Sequence, residues 1–407
     1  MNIQYNADSI SIHTNGISDF IESVFFQGNG TMGVRGFPCE DESYRPHQKG
    51  VYMAGVYDQL KPGVTDLVNT PNFLPLTAYV EGRSLWTAGI SEFCQTLNFM
   101  DGVLTREYTA EFGDKHLRVK FLRFLSLFDP HSACIRMELT PLDFEGEIIV
   151  EASLDASSRN LPIDDDQVKK NLVTARYLDH VSSCVTEQGG WMAFKTKATG
   201  ITIVQAFGIV TSGDLNMNEP SPFSDGDRFG RRISVVLKCG KKYTFDKFVS
   251  VFTSRETAGA RIGEAALEHL NEDMNKGYRK LLEENKVEWG RRWETSDIAI
   301  VGNTKAQCAV RYSIFQLIGN HASRDSHVSI GARGLTHSRY KGCYFWDTEI
   351  YMLPFYIYSN PGAARNILLY RYHTLDAARE HAKKMSSKGA RYPWMSSFDG
   401  SEQCESW

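Results

Sequence analysis

Residues 344–350 read Tyr-Phe-Trp-Asp-Thr-Glu-Ile, and the rest of the chain can be interpreted outward from this stretch. Three aromatic side chains are followed at once by two acids, Asp347 and Glu349. A neutral sugar stacks its apolar ring face on an aromatic side chain, and its hydroxyl groups donate hydrogen bonds to a carboxylate. The stretch therefore predicts a sugar-binding platform that includes Trp346 and Asp347.

The same residues also have a purely structural interpretation. Asp347 can cap a helix, with Glu349 in the electrically positive first turn. The helix would run through residues 352–355, and Asn360-Pro361 would start another one. Because helix caps are common, spacing alone leaves both interpretations open.

Composition indicates an ordinary globular protein of two or three domains. The chain has 407 residues, of which 42% are hydrophobic and 23% charged, with a net charge of −4. This charge provides no electrostatic basis for binding nucleic acid or an anionic membrane. Residues 1–6 lack the features of a signal peptide, and no apolar stretch approaches the length of a membrane span. The eight cysteines are scattered without a C-x-x-C pair, so we expect free thiols and a cytoplasmic protein.

The chain up to residue 255 is typical of β structure. Apolar side chains alternate with polar ones in several runs, which are separated by Gly-rich and Asp-rich turn clusters. The runs lie at residues 117–121, 233–237 and 243–246, and the turns at 187–190 and 224–227. No helical pattern intervenes, so we predict a large antiparallel β-sandwich domain over residues 1–255.

A change of period near residue 257 predicts a helical linker over residues 256–304. From Leu267 to Leu281 the apolar residues fall three and four apart, which is typical of an amphipathic helix. Trp289 and Trp293 continue one face of this helix. They could form a sugar platform, but we interpret them as a stripe that packs the linker on a neighbouring domain.

Helical patterns return in residues 305–407. One predicted helix spans residues 308–322, and another spans 361–385 and stops before Gly389. The aromatic and acidic stretch lies between them. Helices joined by loops that carry Gly, Trp and acids indicate a helical toroid with its site at one end.

Three motifs are distinctive when taken together. Residues 340–354 read Tyr-Lys-Gly-Cys-Tyr-Phe-Trp-Asp-Thr-Glu-Ile-Tyr-Met-Leu-Pro. Residues 28–36 read Gly-Asn-Gly-Thr-Met-Gly-Val-Arg-Gly, and 389–394 read Gly-Ala-Arg-Tyr-Pro-Trp, followed by Gly-Ser-Glu at 400–402. In this order the motifs resemble glycoside hydrolase family 65, which contains maltose, kojibiose, nigerose and trehalose phosphorylases. The motif at 28–36 lacks the lysine of a P-loop, so we interpret it as a tight strand connection that needs positive φ.

The resemblance implies a fold of three parts. These are an N-terminal antiparallel β-super-sandwich, a helical linker and an (α/α)6 barrel. Twelve helices of about 11 residues need about 130 residues before any loop, so residues 305–407 are expected to hold a truncated barrel of about three helices. Such an open bundle would expose a helix face that carries Ile367, Tyr370 and Leu375.

The resemblance also implies an activity, namely inverting phosphorolysis of an α-linked glucose disaccharide by a homodimeric enzyme. Inorganic phosphate is the co-substrate, and no metal or organic cofactor is implied. Trp346 and Asp347 match residues that hold the glucosyl ring, while Trp394 and Glu402 match the acceptor side. At residue 395 some relatives have an acid where this chain has Met. Of the properties that the resemblance implies, the identity of the acceptor sugar is therefore the least well determined.

The resemblance places the proton donor and the phosphate loop beyond Trp407, so we assign no catalytic residue and expect this chain alone to be inactive. Glu349, Glu402 and Glu405 are the acids that could substitute. Glu349 is interpreted as serving the helix N-terminus, and Glu402 and Glu405 as lying on a solvated loop. A hydrolase of α-glucosides and a non-catalytic carbohydrate-binding or assembly module remain alternative functions.

Overall fold

The computed structural model describes residues 3–14, 18–45, 48–61, 63–160, 175–212, 216–217, 220–256, 261–321, 324–337 and 339–404. Strands dominate the described residues up to 253. The first eleven are β1 (Ile3–Asn6), β2 (Ser9–Ile12), β3 (Gln27–Gly28), β4 (Met32–Val34), β5 (Val51–Lys61), β6 (Val64–Asn69), β7 (Leu76–Val80), β8 (Arg83–Ser84), β9 (Gly89–Asn98), β10 (Leu104–Phe112) and β11 (Lys115–Leu125). The others are β12 (Ser132–Pro141), β13 (Gly146–Asp155), β14 (Leu178–Val185), β15 (Gly189–Thr196), β16 (Thr202–Ser212), β17 (Asn216–Met217), β18 (Ser221–Asp225), β19 (Arg228–Leu237), β20 (Tyr243–Thr253), β21 (Tyr344–Phe345) and β22 (Met395–Ser396).

These strands form antiparallel sheets. A 10-stranded sheet has the order β1-β2-β9-β10-β11-β12-β20-β16-β15-β14, and a 6-stranded sheet has the order β17-β19-β13-β7-β8 with β18 beside β19. A 4-stranded sheet contains β3-β4-β5-β6, and β21 pairs with β22. The inward side chains of the two large sheets, such as Val119 on β11 and Val235 on β19, are buried in one hydrophobic core. The predicted antiparallel β structure in the N-terminal part is therefore confirmed.

One element of the β part was missed from the sequence. A short helix, α1 (Asp19–Val24), precedes β3, and the Ser18 hydroxyl caps it by accepting from the Ile21 N–H at 3.2 Å. At six residues it is too short to show a helical period. The predicted change of period near 257 falls on residues 257–260, which lie outside the described residues. The division at 255 and 304 stays a prediction.

A long helix, α2 (Ile262–Ser296), follows the strands. Trp289 and Trp293 are both buried on it, which fits packing rather than sugar binding. The Trp289 ring stacks on Phe315 with centroids 5.0 Å apart, and the Trp293 Nε1–H donates to the Phe99 carbonyl at 3.0 Å. The helix is therefore held between the β part and the helices that follow.

The later helices are α3 (Thr304–Gly319), α4 (Leu353–Ser359), α5 (Pro361–His373) and α6 (Leu375–Lys384). The predicted single helix over 361–385 is wrong, because it breaks at Thr374. The Thr374 hydroxyl donates to the Tyr370 carbonyl at 2.9 Å and so competes with the helical backbone pattern. Gly400 also packs here, since a Cβ on it would lie 2.6 Å from the Thr374 Cβ.

The prediction that Ile367 and Tyr370 lie on an exposed helix face is also wrong. Ile367 and Tyr370 are fully buried, because α5 packs on the turn before α4 and on residues 395–398. Among the described residues of this part, the most exposed large hydrophobic side chains are Tyr351, Tyr358 and Tyr372, which are 74%, 86% and 70% exposed.

The glycine motif joins the β part to the end of α3. Gly30 has φ of +85°, and its N–H donates to the Gly319 carbonyl at 2.8 Å. A Cβ on Gly30 would lie 2.5 Å from the His321 carbonyl oxygen, and one on Gly28 would lie 2.5 Å from the Gly319 carbonyl oxygen. The prediction of a tight connection with positive φ is confirmed, and the absence of a side chain allows the close approach.

Among the described residues, no helix combines the length and the apolar character needed to cross a membrane. All eight cysteines are free. Residence in the cytoplasm stays a prediction.

A partly buried ionic pair fixes α2 to the β part and predicts a pH dependence. The His269 Nε2 lies 2.9 Å from a carboxylate oxygen of Asp129, and the His269 Nδ1 lies 3.0 Å from the Ser250 hydroxyl. Burial is the largest single influence and would lower the pKa of His269 and raise that of Asp129, but their hydrogen bond and charge attraction, together with neighbouring groups, outweigh it. The pKa of His269 is therefore raised, and that of Asp129 is lowered to about 2. The neighbouring Asp273 has a pKa raised by burial.

His269→Gln is expected to destabilise the protein most near pH 5. The stabilisation from His269 is fully present below its unfolded pKa of about 6.5 and is lost as pH rises through the higher folded value. The stabilisation from Asp129 is lost only as the pH falls through the pKa of Asp129 in the folded protein, about 2. We expect His269→Gln to lower the free energy of unfolding by about 1–2 kcal/mol near pH 5 and by less at pH 9, as measured by urea denaturation. The exposed pair His116–Asp143 offers the control, since His116→Gln should change stability little. A loss that does not vary with pH would contradict the assignment.

Candidate functional site

The short ladder between β21 and β22 brings two distant motifs together. Tyr344 pairs with Ser396 and Phe345 with Met395, so the next residues outward, Trp346 and Trp394, become neighbours. Their rings meet edge to face with centroids 5.4 Å apart and an interplanar angle of 77°. We call Trp346, Asp347 and Trp394 the tryptophan platform.

The tryptophan platform is open to solvent, unlike the linker tryptophans. Trp346 is 41% exposed and Trp394 is 49% exposed, whereas Trp289 is 1% exposed. Large aromatic side chains that stay exposed next to a carboxylate can stack on a ligand.

Asp347 does not serve as a helix cap. Its backbone is already helical, with φ of −52° and ψ of −35°, and its side chain makes no capping hydrogen bond. The following turn, Thr348–Met352, is π-helical and is held by the Thr348 hydroxyl, which donates to the Ile330 carbonyl at 2.7 Å. Within the described part of the chain nothing donates to the half-buried Asp347 carboxylate, so both its oxygens can accept from ligand hydroxyl groups.

Glu349 lies in the first turn of the helix, as predicted, and it also forms an ion pair that the sequence did not indicate. Its two carboxylate oxygens each lie 2.9 Å from the Arg371 guanidinium, which also donates to the Phe345 carbonyl at 3.2 Å. The pair fixes the π-helical turn and β21 to α5. This bidentate pair engages both carboxylate oxygens of Glu349 and leaves neither of them available to a ligand.

Glu402 supports the loop that carries Trp394. Its carboxylate accepts from the N–H groups of Trp394 at 2.8 Å, Met395 at 3.0 Å and Cys404 at 3.1 Å. Burial would raise the pKa of Glu402, but these donors outweigh it and the pKa lies below its ordinary value. Glu402 is thus an ionised acceptor rather than a proton donor. Glu405 lies outside the described residues.

Comparison with known proteins identifies the family. The profile of the glycosyl hydrolase family 65 N-terminal domain matches residues 18–292, and that of the family 65 central catalytic domain matches residues 311–407. The chain belongs to glycoside hydrolase family 65.

Relatives within family 65 include named phosphorylases. The chain is 33% identical over 406 residues to a kojibiose phosphorylase of Caldanaerobacter subterraneus subsp. tengcongensis, covering 97% of this chain and 52% of that protein. It is 30% identical over 407 residues to the maltose phosphorylase of Bacillus subtilis, covering 95% of this chain and 51% of that protein. The chain therefore spans about half the length of these relatives.

A solved structure shares the fold of this family 65 chain. It is a protein from the human microbiome provisionally named a kojibiose phosphorylase, with a TM-score of 0.85 and 24% identity. The match covers 99% of this chain and 53% of that chain. Antiparallel sheets followed by helices are thus the arrangement of a family 65 protein.

Two site residues of this family 65 chain escaped the sequence analysis. Arg371 carries the ion pair with Glu349, and its backbone carbonyl accepts from the Tyr392 hydroxyl at 2.9 Å. The Tyr370 hydroxyl lies 2.5 Å from the Ser397 carbonyl, which fixes the start of the loop after β22. Both residues are on α5. The helical pattern includes Tyr370 but does not indicate its contact with Ser397, and no local pattern marks Arg371. In the described residues, no three His, Cys, Asp or Glu side chains converge as metal ligands.

The bracing role of Glu402 predicts an effect on the dynamics of this family 65 loop. Glu402→Gln should increase amide hydrogen exchange at Trp394 and Met395 by about tenfold or more, because hydrogen bonds to a charged acceptor contribute about 1.5–3 kcal/mol. The matched control is Glu380→Gln, since Glu380 is an exposed acid on α6 whose one ion-pair partner among the described residues is Lys383. Unchanged protection of the two amides in Glu402→Gln would exclude this role.

Proposed function

We propose that the protein containing this chain is an inverting α-glucoside phosphorylase. Phosphate oxygen attacks the anomeric carbon of an α-linked glucose disaccharide, and the bond from that carbon to the acceptor oxygen breaks. A proton from a glutamic acid goes to the departing oxygen, and the products are β-glucose 1-phosphate and the free acceptor sugar. Phosphate is then a co-substrate, and the reaction needs no metal or organic cofactor.

The tryptophan platform carries this proposal. Two half-exposed tryptophan rings lie next to the Asp347 carboxylate, which accepts from no group among the described residues, and this suits the apolar face and the hydroxyl groups of a glucosyl ring. Relatives named as kojibiose and maltose phosphorylases match the whole of this region. We assign Trp346 and Asp347 to the glucosyl ring, and Trp394 with its supporting Glu402 to the acceptor side.

We further propose that the proton donor lies outside residues 1–407. Two described acids on the segments that form the platform are engaged elsewhere, because Glu349 pairs with Arg371 through both carboxylate oxygens and Glu402 accepts from backbone N–H groups. The pKa of Glu402 also lies below its ordinary value, whereas a general acid needs a raised pKa. In this proposal the complete protein comprises a β-super-sandwich, a helical linker and an (α/α)6 barrel, to which residues 305–407 contribute. Two copies of it form a homodimer.

The test is an assay of the protein expressed from its complete reading frame. We expect glucose 1-phosphate from maltose, kojibiose, nigerose or trehalose only when inorganic phosphate is present, and NMR of the fresh product should show the β anomer. Release of glucose at the same rate without phosphate would identify a hydrolase instead. Sugar binding without turnover of any of the four would identify a binding module.

A further inference from the structure

A tyrosine of the β part contacts both segments that form the tryptophan platform. The Tyr57 hydroxyl, on β5, donates to the Gly342 carbonyl at 2.5 Å, and its ring meets Tyr344 edge to face with centroids 6.0 Å apart. The same ring stacks on Phe398, in the loop after β22, at 5.8 Å and 22°. One fully buried side chain therefore lies between the segment that leads into Trp346 and the loop that follows Trp394.

A second contact extends from the same hairpin. The Thr65 N–H, on β6, donates to the side-chain oxygen of Gln403 at 2.8 Å, and the Gln403 N–H donates to the Met395 carbonyl at 2.8 Å. The β5–β6 hairpin thus holds both ends of the loop between β22 and residue 403.

The hairpin is itself firmly attached to the β part. The Asp58 carboxylate accepts from the N–H groups of Lys197, Ala198 and Thr199 at 2.8, 2.9 and 2.9 Å. The Thr199 hydroxyl in turn donates to the Tyr57 carbonyl at 2.7 Å. Tyr57 is therefore a fixed point against which the helical part is placed.

The segment that Tyr57 holds is strained. Tyr340 and Lys341 both have φ of 57°, in the left-handed region that non-glycine residues rarely adopt, and Gly342 follows with φ of 67°. A Cβ on Gly342 would lie 2.3 Å from the Leu67 Cβ, so the segment lies directly against β6. Strained backbone of this kind persists only where surrounding contacts hold it, and the Tyr57 hydrogen bond is such a contact.

We propose that Tyr57 is a positioning residue for the glucoside site, which holds residues 340–346 and 395–403 in the arrangement that forms the tryptophan platform. The proposal rests on the proposed function for its effect on catalysis. Tyr57 lies in the β part, so this part contributes to the geometry of the site without touching the sugar. A small displacement of groups that hold a substrate is enough to cost a large factor in rate.

The test compares two substitutions that remove the same chemical group. Tyr57→Phe removes the hydroxyl that binds Gly342, and Tyr356→Phe removes an equally buried hydroxyl that donates to the Leu317 carbonyl at 2.6 Å, within the helical part. In the complete enzyme we expect Tyr57→Phe to lower kcat/KM for the glucoside about tenfold. Tyr356→Phe should lower the melting temperature comparably and change kcat/KM less than twofold. Equal effects of the two substitutions on kcat/KM would show that Tyr57 has only a structural role.

Hydrogen exchange gives a readout that does not depend on activity. Tyr57→Phe should accelerate amide exchange in both 340–346 and 395–403, whereas Tyr356→Phe should leave both segments unchanged. Acceleration in neither segment, or in only one, would overturn the proposal. If the wild-type enzyme fails to phosphorolyse any glucoside, the proposed function is wrong, and exchange alone then decides whether Tyr57 couples the two segments.

Discussion

Asp347→Ala in the complete enzyme is expected to lower kcat/KM for the α-glucoside about 100-fold. The Asp347 carboxylate has no donor among the described residues, so its hydrogen-bonding capacity is available to sugar hydroxyl groups. A hydrogen bond to a charged acceptor contributes about 1.5–3 kcal/mol, and about 1.4 kcal/mol corresponds to a factor of ten in rate. Asp347→Asn keeps one acceptor oxygen and should fall between wild type and alanine.

Trp346→Ala should lower kcat/KM for the glucoside at least about tenfold, because the sugar loses the aromatic ring on which it stacks. Trp346→Phe keeps an aromatic ring and should recover part of this loss. Two matched controls separate binding from folding. Asp376→Ala removes an acid on α6 whose side chain is 90% exposed, and Trp86→Ala removes a half-buried tryptophan of the β part. Circular dichroism should show all variants folded. Wild-type kinetics in Asp347→Ala would remove this residue from the binding site.

The second large effect concerns a polypeptide of residues 1–407 expressed alone. We expect it to form no glucose 1-phosphate from maltose, kojibiose, nigerose or trehalose with phosphate. Arg371 engages both oxygens of Glu349, and the pKa of Glu402 lies below its ordinary value. Loss of a general acid typically costs about 10²–10⁴ in rate. The resemblance to family 65 also places the phosphate loop outside these residues, and its loss is expected to lower the rate further.

The assay includes two substitutions that could contradict this expectation. If residues 1–407 do form product, Glu349→Gln and Glu402→Gln identify which acid supplies the proton. Product that disappears in either variant, while Glu380→Gln retains it, would place the proton donor inside the chain. The same polypeptide is expected to associate, since Tyr351, Tyr358 and Tyr372 expose large aromatic surfaces. A monomer in sedimentation analysis would show that these exposed surfaces do not cause association.

Much of the fold follows from the sequence alone, because side-chain period is a local property. The alternation at 117–121 predicts β11, and the spacing from Leu267 to Leu281 predicts α2. The tryptophans of α2 were correctly interpreted as packing residues, since their spacing places them on one face. Trp346 and Asp347 were singled out because their residue types adjoin in sequence, and their assignment to the sugar stays a prediction.

Other features depended on partners that are distant in the chain. The break at Thr374 arises from a hydroxyl that competes for the helix backbone and from the close approach of Gly400. Glu349 was assigned to a helix terminus, but its partner is Arg371, 22 residues away. Local periodicity carries no information about such partners.

The sequence by itself therefore determined the change from strands to helices along the chain, the glycine connection and the residue types of the platform. Only the tertiary structure decided that Trp346 and Trp394 share one surface, and that Tyr57 of the β part contacts both segments behind them. The physical reason is that these contacts depend on the register of the β21–β22 ladder and on the docking of one part on another. Both are set by hydrogen bonds and packing between segments far apart in the chain.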